Sequence, residues 1–377
     1  MAEPVDPFSN IIFIMADDLG YGDLGCYGAA KIPSPHIDRI ATQGMRFSDA
    51  HASSAVCSPS RYSVLTGRYC WRSPLKQGVL WGFSPPLIET DRLTVAGLLK
   101  KQGYTAASIG NWHLGFNWTT IDGSIPQPKE EGRNIDYSTP LSGGPNSLGF
   151  DYSFNISGSL DMPPYCFIEN SRVVDLPAME KEPYNPQQRP GLMTPGWRDE
   201  DVDVTFAQKA ISWIEEQAQT GNPFFLYLTP SAPHRPCMPP GSYNDQLICL
   251  GDLLATCADI THVELPEDAG PDSRSILPVL LGEEHLVRET LVHHSADGMF
   301  SIRQGSWKLI EGLGSGGFSE PTRLKPEPEG PTDQLYNVAQ DIGEQNNLWQ
   351  EKPQLVAEMQ ALLEEVSAAS ASDPPLS

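Results

Sequence analysis

The chain has 377 residues, enough to bury a large core and to form one large domain or two. Its 39% apolar and 19% charged residues suit a soluble globular protein, and 25 basic against 48 acidic residues give a net charge of -23. That balance argues against nonspecific binding to nucleic acid or an anionic membrane. It also requires a local patch of positive charge, or a metal, wherever an anionic substrate is to enter.

No stretch approaches the roughly 18 apolar residues of a membrane helix, and Met1 to Asn10 lacks the basic and apolar regions of an export signal. Asn10 to Met15 reads as a fully buried strand, apolar without alternation as parallel strands often are. Asp17 and Asp18 follow at its carboxyl end, where ligands sit in open α/β sheets. Ser34 to Gln43 predicts a helix with Pro35 near its start. Ser58 to Thr66 predicts a second helix and puts Cys57 at or near its N-terminus, where free N–H groups and the dipole favour anions. A helix over Leu93 to Gln102 precedes a strand over Thr105 to Ile109 and then Gly110-Asn111-Trp112-His113-Leu114-Gly115. Residues 120–200, rich in Pro, Gly, Asn and Ser, read as long loops over a sheet edge. An amphipathic helix over Val204 to Gln217 leads to the apolar strand Pro223 to Thr229 and to Ser231-Ala232-Pro233-His234-Arg235-Pro236. From Leu291 the pattern changes to short antiparallel strands over Thr290 to His294, Phe300 to Arg303 and Trp307 to Ile310. Met359 to Val366 belongs to a terminal helix, and Ala368 to Ser377 reads as a frayed end.

The seven cysteines, Cys26, Cys57, Cys70, Cys166, Cys237, Cys249 and Cys257, are odd in number and widely spaced. They form neither a disulfide framework nor a zinc site, and six of them read as buried small residues with at most one disulfide. Cys57 stands apart because of its neighbours, Cys57-Ser58-Pro59-Ser60-Arg61. Arg61 lies four residues on, on the same helical face. The adjacent carboxylates of Asp17 and Asp18 repel each other unless a divalent cation sits between them. Oxygen-only donors favour calcium or magnesium over zinc. Asp23 reads as a turn residue.

The pattern C-x-P-x-R at Cys57, with Asn10-Ile11-Ile12-Phe13-Ile14-Met15-Ala16-Asp17-Asp18-Leu19-Gly20-Tyr21-Gly22-Asp23 before it, resembles the type I sulfatase family and its arylsulfatase branch. The resemblance implies an α/β, alkaline-phosphatase-like fold: a mostly parallel mixed sheet flanked by helices, then a small antiparallel sheet with a helix. It places the α/β domain at residues 1–285 and the small C-terminal domain at 286–377. It implies that a separate formylglycine-generating enzyme converts Cys57 to formylglycine, whose hydrate attacks sulfur and then expels sulfate. By the same resemblance Arg61 steadies the formylglycine hydroxyl, and His113 hydrogen-bonds the formylglycine. His234 contacts the sulfate and the leaving oxygen, and Asp17, Asp18 and Cys57 face a calcium or magnesium ion. Ser159 aligns loosely with a serine near the sulfate. The implied substrate is a sulfated small molecule or glycan, with no nucleic acid partner, and the family is often periplasmic, secreted or lysosomal.

Two departures qualify the resemblance. Asn111 stands where the family has lysine, which removes one cation. No Asp-Asn-Gly occurs in the chain, and the segment near residue 243 that would carry it is missing, so two metal donors are lost. Asp252 and Asp259 are the acidic residues that could stand in. The alternative readings are a catalytically inactive pseudoenzyme that binds sulfated or anionic ligands, and a related phosphatase or phosphonate monoester hydrolase.

Overall fold

The computed structural model describes residues 9–30, 33–183, 188–234, 247–266, 268–280, 286–317, 319–341 and 343–368. In chain order the strands are β1 (Ile11–Ile14), β2 (Asp49–His51), β3 (Thr105–Asn111), β4 (Tyr152–Ile156), β5 (Ile168–Glu169), β6 (Arg172–Val173) and β7 (Met179–Lys181). They continue as β8 (Gly191–Met193), β9 (Phe224–Thr229), β10 (Leu247–Cys249), β11 (Thr290–His294), β12 (Phe300–Gln304), β13 (Trp307–Ile310) and β14 (Gln334–Asn337). The helices are α1 (Pro35–Gln43), α2 (Cys57–Thr66), α3 (Val95–Lys101), α4 (Val202–Thr220), α5 (Leu253–Ile260), α6 (Leu277–Leu280) and α7 (Pro353–Ala368). No helix among the described residues is long and apolar enough to cross a membrane.

The chain forms two compact units, one from Met1–Met45, Leu80–Ser242 and Cys257–Glu264, the other from Arg46–Val79, Tyr243–Thr256 and Leu265–Ser377. The first unit is built on a six-stranded mixed sheet in the order β1-β9-β3-β4-β5-β6. β1, β9, β3 and β4 run parallel, and β5 and β6 turn back antiparallel. β3 and β9 are buried on both faces, as central parallel strands are. α4 covers one face: Phe206, Ala210 and Trp213 pack on Ala107, Ile109, Phe154 and Leu226. Each large side chain buried there contributes about 1.5–3 kcal/mol. At Gly110 the backbone takes φ +121, and an added Cβ would fall 2.1 Å from the Thr229 carbonyl oxygen. β3 and β9 can approach this closely only with glycine there.

Two expectations fail in this sheet. β1 is not fully buried. Among the described residues its only neighbour is β9, and Ile12 and Ile14 face outward. Residues 120–200 are not only loops, because they contain β4, which pairs with β3 over five residues, and the short strands β5 to β8. Tyr152-Ser153-Phe154-Asn155-Ile156 is held by this long-range register, which composition does not report.

In the second unit β11 to β14 form an antiparallel sheet in chain order. α7 lays Val356, Met359, Leu363 and Val366 on Leu291, Ile302, Leu309 and Leu335. β2 and β10 form a separate parallel pair. Arg72 and Asp272 meet in a buried two-pronged ion pair, at 2.9 and 3.0 Å, just beyond α2. The six described cysteines form no disulfide, and Cys237 lies outside the described residues.

Candidate active site

In the first unit, three parallel strands deliver the expected residues to their carboxyl ends. Asp17 follows β1 and is buried. Its Oδ2 accepts a hydrogen bond of 2.8 Å from Nδ2 of Asn111, the last residue of β3. Asn111 therefore replaces the expected lysine charge with a neutral donor. Asp18 is exposed and lies 3.7 Å from Nε2 of His234. His113 donates from Nε2 to the Leu80 carbonyl oxygen at 2.8 Å. A carbonyl can only accept, so Nε2 carries a proton, and in a neutral ring Nδ1 is then the acceptor. Asp18 (φ +63) and His113 (φ +52) both hold left-handed backbone conformations that cost non-glycine residues about 1–3 kcal/mol each. Such strain persists only where surrounding structure fixes it.

His234 follows β9 through a turn closed by its own N–H donating to the Ser231 carbonyl oxygen at 3.1 Å. Asp203, in the first turn of α4, accepts from the amides of Ser231 and Ala232 at 2.7 and 2.8 Å. Asp161 accepts from the Ser159 hydroxyl and pairs with Arg189, and it lies within electrostatic reach of His234. Burial alone would raise the Asp161 carboxyl, but the Ser159 hydroxyl and the Arg189 guanidinium outweigh it and hold the group below its usual range. Ser159 thus reaches its surroundings through Asp161. Asp203, Asp161 and Arg189 were not legible as site residues, because their partners lie 28 positions away in the chain or more. Asp23 is a turn residue as expected, its Oδ2 accepting from Gly20 N at 2.7 Å.

In the second unit Cys57 is the first residue of α2 and half-buried, with the extended Val56 before it as N-cap. Arg61 lies one turn on and is fully buried, as is the rest of the helix from Ser58 to Thr66. Polar residues crowd this helix, and their hydroxyls turn inward onto its carbonyls: Ser60 to Val56, Ser63 to Pro59 and Thr66 to Tyr62 at 2.7–3.1 Å. The helix ends where Gly67 adopts φ +61. Asp252 is engaged by Arg288 and by the amides of Cys249 and Arg274, so its carboxylate serves a buried ion pair. Asp259 is exposed. The chain near residue 243 and Arg235-Pro236 lie outside the described residues.

The donors among the described residues do not complete a calcium shell. Among the described residues no three His, Cys, Asp or Glu side chains gather as a metal site. Asp17 and Asp18 are two carboxylates, one already accepting from Asn111, where calcium takes about six to eight oxygens.

Comparison with known proteins agrees with this geometry. The sulfatase family model matches residues 9–249. An N-acetylgalactosamine-6-O-sulfatase of Bacteroides thetaiotaomicron is 29% identical over 490 positions, covering 95% of this chain and 93% of that protein. Since those positions outnumber the residues of this chain, more than a hundred of them lie opposite gaps here. Mouse arylsulfatase G is 32% identical over 61% of this chain, which spans only 42% of that longer protein. A solved B. thetaiotaomicron sulfatase, described in work on glycosaminoglycan metabolism, superposes with a TM-score of 0.79 at 26% identity, covering 96% of this chain and 99% of its own. The fold is that of the alkaline-phosphatase-like sulfatases, and the chain belongs to the sulfatase family, whose members are sulfuric ester hydrolases.

Proposed function

We propose that this protein cleaves sulfate monoesters of aryl compounds or carbohydrates through a formylglycine made from Cys57. The observation that carries the reading is the C-x-P-x-R segment folded as the opening turn of a buried helix, with Cys57 at its first position and Arg61 one turn on. A helix N-terminus favours the negative charge that a sulfuryl group brings. Formylglycine supplies the hydrated aldehyde hydroxyl as nucleophile. In this reading Arg61 positions that residue. His113, protonated on Nε2, offers Nδ1 as an acceptor, and His234 delivers a proton to the departing alcohol. Asp17, Asp18 and the residue made from Cys57 are the metal-facing positions. The described donors fall short of a full shell for such an ion. Residues 1–285 as the sulfatase-like domain and 286–377 as the small C-terminal domain belong to the same proposal, as does maturation by a formylglycine-generating enzyme.

A second reading, a pseudoenzyme that binds sulfated ligands without turnover, draws on the neutral Asn111–Asp17 contact in place of a cation. One experiment separates the two. The chain is co-expressed with a formylglycine-generating enzyme, conversion of Cys57 is verified by mass spectrometry, and hydrolysis of a chromogenic aryl sulfate is followed with and without calcium. Turnover that Cys57→Ala abolishes is expected. A fully converted protein that does not turn over would leave the binding reading in its place.

A further inference from the structure

Beside His113 and His234 lies a cluster that the proposed chemistry does not use. Trp81 carries two cations against its ring: the Arg189 guanidinium carbon is 4.2 Å from the ring centroid and the Lys129 ammonium 4.3 Å. The loop beneath is locked. Leu80 accepts from His113 at 2.8 Å, and Gly82 accepts from the Ser157 hydroxyl and the Trp118 indole at 2.5 and 3.1 Å. The Trp81 amide donates to the Ser84 hydroxyl at 2.8 Å, and a Cβ on Gly82 would fall 1.7 Å from the Pro163 carbonyl oxygen. Trp81 therefore directly follows the residue whose carbonyl orients His113. On the other side Arg189 pairs with Asp161, which is in turn within electrostatic reach of His234.

The charges on this cluster are unequal. Asp161 takes up much of the Arg189 charge, whereas Lys129 is exposed and has no carboxylate partner among the described residues. In a chain of net charge -23, a preorganised cationic pair next to the site residues is a local reversal of sign. We propose that Lys129 and Arg189, held on Trp81, bind a second anionic group of the substrate, a uronate carboxylate or a second sulfate. The favoured substrate is then an acidic sulfated oligosaccharide rather than a simple aryl sulfate. This deepens the sulfatase reading and rests on it.

The test compares wild type, Lys129→Ala and Lys129→Arg of the full chain. The probes are an aryl sulfate, a uronate-hexosamine 6-sulfate disaccharide, its carboxyl-reduced counterpart and a disulfated hexosamine. Lys129→Ala is expected to raise KM for the acidic disaccharide roughly five- to tenfold with kcat unchanged, and Lys129→Arg to restore it. KM for the aryl sulfate and the carboxyl-reduced sugar should not move. A matching effect on the disulfated hexosamine alone would assign the second group as sulfate. Equal KM values in wild type and Lys129→Ala for both acidic sugars would overturn the proposal. If no sulfate ester is turned over, calorimetric binding of the acidic disaccharide decides. Weaker binding by Lys129→Ala keeps the cationic subsite while the hydrolase reading falls, and equal or absent binding in both proteins rejects the subsite.

Discussion

The centre of the first unit's sheet and its β1 flank are written in the same apolar alphabet but stand in different surroundings. Along β3 every residue from Ala106 to Asn111 is buried, and at Gly110 there is no room for one methyl group. Along β1 alternate residues face outward, Ile14 at 58% exposure. α1, the next helix in the chain, buries none of its residues and leaves Ile40 at 65%. Ile11-Ile12-Phe13-Ile14 is suited to burial on both faces, yet only one side is covered among the described residues. A hydrophobic run reports the environment a strand is fit for, and the neighbours decide what it receives. The relative from B. thetaiotaomicron has over a hundred alignment positions with no counterpart here.

Substitutions should separate the two regions sharply. Gly110→Ala is expected to cost more than about 4 kcal/mol, because backbone oxygen cannot yield as a side chain can. A urea midpoint within error of wild type would break the contrast at its strong end. Asn111→Ala should cost about 1–3 kcal/mol by removing the donor to the buried Asp17 carboxylate. That loss should shrink in an Asp17→Ala background, which a double-mutant cycle measures.

Asp161 gives the central region a pH signature. Its native carboxyl is held below the unfolded value, so its contribution is full above about pH 4 and is lost as pH falls through the lower native value. Asp161→Asn should therefore cost on the order of 1 kcal/mol at neutral pH, and progressively less as pH falls below the unfolded value. A constant difference across that window in denaturation midpoints would show that the loss is one of packing. The smallest effect is expected on the flank: Ile14→Lys with Ile40→Glu should change stability by no more than about 0.5 kcal/mol while reducing self-association. Sedimentation velocity over a range of concentrations reads this directly, and a large stability loss would mean that the flank is covered after all.

Much of the architecture was legible because it is local. Thr94 caps α3 and accepts from the Gly97 amide, Gly67 ends α2, and each apolar run of the small sheet falls on an observed strand. The signature segments were legible for the same reason, since Cys57 and Arg61 are four residues apart and His113 and His234 each sit in a compact motif. What failed was long-range. β4 is made by its register with β3, against the composition of its surroundings, and β1 was read as fully buried, which its own residues cannot specify. The carboxylates that set the His234 turn and the Arg189 guanidinium could not be found from spacing, because no periodicity relates Asp203 to Ser231 or Asp161 to Arg189.

The burial of α2 bears on what its signature can testify to. Arg61 is fully enclosed, and Ser60, Ser63 and Thr66 spend their hydroxyls inside the helix that carries it. An alanine at Arg61 would leave a cavity as well as an uncompensated set of partners. A lineage that gave up hydrolysis would still be held to these residues by the need to fold. Drift is free to erase the exposed Asp18 long before it can erase Arg61, so a decaying member of this family would lose its chemistry first and its fingerprint last.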